Sequence, residues 1–119
     1  MTVLPPMHVL AAAAADLARA AHAAGDMANE RAINNADYDL HTGSVPMETT
    51  GGYLVPSHTR AMAHRVSDAY GCSCEAGSHG KPCRHAAQIE IIAAARGRVL
   101  LGTRLAARRW ELLHLDELY

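Results

Sequence analysis

The sequence predicts a mainly helical α+β fold: a long N-terminal helix, a short β-hairpin, a cysteine-rich turn, and a C-terminal helix or helix pair. Three observations carry this. The first third is rich in alanine, the strongest helix former; two short runs containing β-branched and aromatic residues bracket a polar turn; and helical spacing of apolar residues resumes after the last cysteine.

The first helix spans roughly residues 7–35. Pro5 and Pro6 precede it, where proline's fixed φ suits a helix start. Leu10, Ala14, Leu17, Ala21, Ala24 and Ala28 recur at three- and four-residue steps, and Asp16, Arg19, His22, Asp26 and Glu30 trace a polar line opposite. Gly25 costs about 1 kcal/mol relative to alanine inside a helix and marks a bend. An alanine face allows close packing against another element. Residues 36–51, with Asp37, Asp39, Gly43, Pro46 and Gly51, show no sustained period and read as a loop. Strands at 53–56 and 63–66 form the hairpin. From Cys83 onward, Ala86, Ile89, Ala93 and Leu100 lie on one side of a helix, with Arg84, Gln88, Arg98 and Arg108 spread over the rest. Gly97 and Gly102 predict a break before the stretch 104–118, where Trp110, Leu112, Leu115 and Leu118 supply bulk. The chain divides into an alanine-rich helix and loop (1–51), a cysteine-rich segment (52–95) and an arginine-rich helical extension (96–119), expected to fold as one cooperative domain.

The core is thin for this length. Of 119 residues 59 are hydrophobic, but 24 of those are alanine and none is phenylalanine, so the fold needs something besides apolar burial. Three cysteines cannot all pair. The apolar run 9–15 has no Lys or Arg before it, unlike a secretory leader, and no stretch approaches the roughly 18 apolar residues of a spanning helix. A cytoplasmic, reducing location without membrane contact is expected, in which cysteine serves as ligand rather than staple.

Cys72, Cys74, Cys83 and His85 use every cysteine, in the order C-x-C, eight residues, C-x-H. Three thiolates and one imidazole are a usual structural zinc set, and Gly77, Ser78, Gly80 and Pro82 have the turn composition needed to bring the pairs together. One zinc ion per chain is expected. His79 is the alternative fourth ligand, and three ordinary buried thiols are the bland alternative. A C-x-x-C redox pair is absent, and four good ligands leave no coordination position open for catalysis.

The run from Tyr70, Gly71, Cys72, Ser73 and Cys74 through Gly80, Lys81, Pro82, Cys83, Arg84, His85, Ala86 and Ala87 resembles a SWIM-type zinc finger of the kind found in small stand-alone bacterial or phage proteins. The resemblance covers residues 52–95. It implies zinc on Cys72, Cys74, Cys83 and His85, a ββα arrangement around it, and a role in binding DNA or protein.

Charge is unevenly distributed. Residues 1–50 carry two Arg against six acids, whereas from 60 to 109 Arg60, Arg65, Lys81, Arg84, Arg96, Arg98, Arg104, Arg108 and Arg109 face only Asp68, Glu75 and Glu90. The expected function is a non-catalytic, zinc-stabilised module contacting DNA or RNA through these groups. The alternative is a protein adaptor or homo-oligomer using the alanine-rich helix and the tail residues Trp110, Leu112, Leu113, Leu115, Leu118 and Tyr119. No small-molecule substrate is expected: Asp37 and Asp39 are a carboxylate pair without a pocket or metal pattern, read as solvent-facing.

Overall fold

A computed structural model describes residues 4–57, 59, 61–67 and 71–113, with side chains through Leu101. Its elements follow in the order α1 (Met7–Ala23), α2 (Met27–His41), β1 (Met47–Thr49), β2 (Gly52–Pro56), β3 (Ala63–Ser67), β4 (Gly71–Cys72), α3 (Glu75–Ser78) and α4 (Arg84–Leu113). The class is helix-rich α+β, as expected.

The N-terminal segment differs from its expectation. It forms two helices rather than one bent helix. Gly25 takes φ 73°, its amide donates to the His22 carbonyl, and the Asp26 amide donates to the Ala21 carbonyl, which together close α1 in a Schellman motif. Asp26 then starts α2 by accepting a 3.1 Å hydrogen bond from the Asn29 amide. Glycine in the left-handed region followed at once by a capping aspartate reverses the chain. As a second correction, α2 continues to His41 through the stretch read as loop. Ala32, Ile33, Ala36 and Leu40 are buried at helical spacing and outweigh the poor intrinsic propensity of the intervening Asn and Asp residues.

The hairpin lies within one residue of its expected limits, but the sheet is larger. Its order is β1-β2-β3-β4, antiparallel throughout. Residues 50 and 51 connect β1 to β2, with Thr49 opposite Gly52, and β4 places Cys72 opposite Val66. At three and two residues, β1 and β4 carry too little alternation to be seen as pattern.

Two apolar clusters result. Leu10, Ala13, Ala14, Ala21, Ala32, Ile33, Ala36 and Leu40 of α1 and α2 pack with Ala87, Ile91, Ile92 and Ala95 of α4. The small-residue stripe of α1 is thus spent inside the chain, except that Ala24 and Ala28 are exposed. Among the described residues the second cluster buries Val55, Val66 and the three cysteines, with Tyr53, Ala76 and Ala86 partly buried against it and Ile89 packed against both clusters. α4 runs unbroken past Gly97 and Gly102. Gln88, expected on its polar side, is fully buried and accepts a 3.1 Å hydrogen bond from the Ser44 hydroxyl. The stretch 97–101 is exposed on every side.

Candidate metal centre

Each cysteine is delivered by a different local device. Cys72 occupies β4, held against Val66. Cys74 caps α3, and its sulfur accepts a hydrogen bond from the Gly77 amide at 3.3 Å. Cys83 precedes α4, where its sulfur accepts from the Ala86 amide at 3.4 Å. The Cys74 amide donates to the Cys72 sulfur at 3.5 Å. Every sulfur therefore has a backbone donor, which favours the thiolate form that binds metal. His85 follows in the first turn of α4 and is buried.

The ligand atoms of Cys72, Cys74, Cys83 and His85 all lie within 4.8 Å of one another. Bonds of about 2.3 Å to sulfur and 2.0 Å to nitrogen put neighbouring donors in a tetrahedron about 3.5 to 3.8 Å apart, so the quartet fits a metal ion with small side-chain adjustments. Burial pushes the Cys72 thiol up to about 12, and it raises the Cys83 thiol as well. Burial thus favours the neutral thiol at Cys72 and Cys83, and a bound cation would offset the lost solvation of their thiolates.

The spacer does more than turn. Residues 75–78 form the single helical turn α3, and Gly77 packs so closely on β4 that a Cβ there would stand 2.4 Å from the Cys72 carbonyl oxygen. His79, the alternative ligand, is the exposed C-cap of α3 and lies outside the quartet. His64, to which the sequence lends no role, stacks on His85 with ring centroids 4.4 Å apart and an interplanar angle of 41°. Only the sheet brings it there, so no spacing in the sequence announces it.

The basic residues are scattered by the fold. Arg84 donates two 2.7 Å hydrogen bonds to the carboxylate of Asp39, which is buried on α2 rather than solvent-facing. Arg96 donates to Glu48 at 3.1 Å and the Tyr53 hydroxyl donates to the same carboxylate at 3.1 Å, and these two hydrogen bonds hold the Glu48 carboxyl below its usual range; Arg96 also donates to the Tyr53 hydroxyl at 3.4 Å. Arg98 pairs with Asp16, which also pairs with Arg19. These three arginines neutralise acids of the first fifty residues instead of forming one open stripe. Arg65 and Lys81 are exposed. Arg60 and the side chains of Arg104, Arg108, Arg109 and Trp110 lie outside the described residues, as do residues 114–119 with Leu115, Leu118 and Tyr119.

No protein-family model, curated protein or solved structure matches the chain. Among the described residues no helix is long and apolar enough to cross a membrane.

Proposed function

We propose that this chain is a zinc-stabilised, non-catalytic binding module of the SWIM type, cytoplasmic, whose partner is nucleic acid. The observation that carries the zinc reading is the buried quartet of three thiols and one imidazole, a donor set that selects a borderline-soft tetrahedral ion and leaves no position for a substrate. When bound, zinc supplies cross-linking and charge compensation. The chain's own residues supply the amide donors to sulfur, the stacking of His64 on His85 and the anchorage of the ligand segment to α2 through Arg84.

The nucleic-acid reading rests on Arg65 and Lys81, two cations of the basic run that carry no internal ion pair among the described residues, together with Arg104, Arg108 and Arg109 in the sequence of α4. A protein partner is the second reading. It is favoured by Val99, Leu100 and Leu101, consecutive apolar residues of α4 that are 44, 57 and 59% exposed taken in the order Val99, Leu101, Leu100. Zinc analysis combined with a mobility-shift titration at two salt concentrations tests the proposal. One zinc per chain and salt-sensitive binding are expected, whereas binding that is absent at micromolar protein favours a protein partner.

A further inference from the structure

A groove of about 740 Å³ opens beside the metal centre, walled by α2, the β2–β3 hairpin and the loop that carries Lys81. Its volume lies within the usual span of ligand clefts, about 300 to 1,000 Å³. Arg31 from α2 and Lys81 from the loop are both exposed on its rim, and among the described residues neither makes an ion pair. Deeper in the groove, Asn35 and His64 are half-buried. Arg31 and Asn35 stand one turn apart on α2, and Tyr38 continues the same face a turn further on, 66% exposed.

The charges divide between rim and floor. The rim offers Arg31 and Lys81 against Glu75, the one lining carboxylate among the described residues. At the floor Arg84 is already committed to Asp39, and three thiolates holding one divalent ion there would sum to a net negative charge. A ligand with anionic groups along its edge and uncharged hydrogen-bonding groups toward its middle complements this arrangement. A single nucleic-acid strand has that form: its phosphates meet rim cations, while its base edges, hidden inside a duplex, are open to an amide and an imidazole. An exposed tyrosine beside the cleft gives a base a surface to stack on.

We propose that this groove holds a single-stranded nucleic acid, with Arg31 and Lys81 contacting phosphates, Asn35 and His64 facing the bases, and Tyr38 stacking a base at the exit. The inference rests on the nucleic-acid reading above and deepens it by adding residues 31–38, from the acidic half of the chain, to a surface otherwise confined to 60–109.

The test is fluorescence anisotropy with the zinc-loaded full chain, a labelled oligothymidylate and a duplex of equal length, over a series of salt concentrations. Arg31→Ala and Lys81→Ala are each expected to reduce the salt slope on the single strand by about 0.7. Tyr38→Ala is expected to weaken binding about tenfold with little change in slope. Zinc content and circular dichroism of each variant exclude misfolding as the cause. If the wild type binds while Arg31→Ala and Tyr38→Ala keep its affinity and slope, the groove assignment is overturned and the nucleic-acid reading stands. Tighter binding to duplex than to single strand also overturns the groove assignment. Absence of salt-sensitive binding by the wild type overturns both.

Discussion

Arg84 grips Asp39 with two prongs of its guanidinium, Nε and Nη2 each donating a 2.7 Å hydrogen bond to a different carboxylate oxygen. Arg84 stands between Cys83 and His85 in sequence, so this pair fastens the second ligand pair of the metal centre to α2, in the other apolar cluster. Removing one partner of a buried pair costs about 3 to 5 kcal/mol, and Asp39→Ala is expected at the lower end because a fifth of the Arg84 side chain reaches solvent. Denaturant unfolding of the zinc-loaded protein measures this. Adding Arg84→Met to Asp39→Ala should recover part of the loss, since the orphaned charge goes with it. An unchanged midpoint in Asp39→Ala would show the pair to be decorative.

Gly77→Ala tests the fit of α3 on β4. The new Cβ would stand 2.4 Å from the Cys72 carbonyl oxygen and 2.7 Å from the Cys72 Cβ, and both neighbours are backbone or directly attached to it. Cys72 and Cys74 must then separate, and zinc affinity is expected to fall at least tenfold in a chelator competition. An alanine variant that holds zinc as tightly as wild type would contradict the packing.

Zinc removal is expected to act unevenly. The sheet's own buried apolar residues are Val55 and Val66 beside the cysteines, whereas α1, α2 and α4 share Leu10, Ile33, Ile91 and Ile92. A structural zinc contributes about 10 to 16 kcal/mol of apparent binding energy at neutral pH, more than two valines can replace. Chelation should therefore leave most of the helical circular dichroism while amide exchange at Val55 and Val66 rises to that of an open segment. Cys83→Ser should reproduce the effect. Protection retained at both valines without metal would refute this.

Ile92→Ala probes the other cluster. Ile92 is fully buried, and truncation of such a residue costs about 2 to 5 kcal/mol. Melting of the helical signal should shift down while zinc stoichiometry remains one per chain. Loss of zinc in this variant would mean that the two clusters unfold as a unit.

Proton release gives a pH prediction. Burial raises the Cys72 and Cys83 thiols, so both enter the metal reaction protonated at neutral pH and must lose their protons to bind. At least two protons per zinc should appear in a weakly buffered indicator titration.

Two departures from expectation carry a signal in the sequence. Gly25 followed by Asp26 is a helix stop joined to a helix start, which marks a reversal rather than a bend. Ala32, Ile33, Ala36 and Leu40 carry the helical period to residue 40, although Asn and Asp between them suggest a loop. Other features had no local signal. His64 reaches His85 only because β3 lies between β2 and β4. Gln88 is buried because the loop after α2 brings Ser44 to it from 44 residues away.

From the sequence alone came the helix-rich α+β class, the hairpin within a residue of its limits, and Cys72, Cys74, Cys83 and His85 as candidate ligands. Those features depend on residue type and short spacing, which any window of the chain displays. Tertiary structure alone decided where the charges go: Arg84 to Asp39 across 45 residues, Arg96 to Glu48 across 48, and Arg31 left on the rim of a groove no segment contains by itself. Ion pairing depends on distance in space, and here the reversal at Gly25 and the turn through the cysteine loop set those distances. Of the five basic residues of the run whose side chains are described, three, Arg84, Arg96 and Arg98, are internal neutralisations.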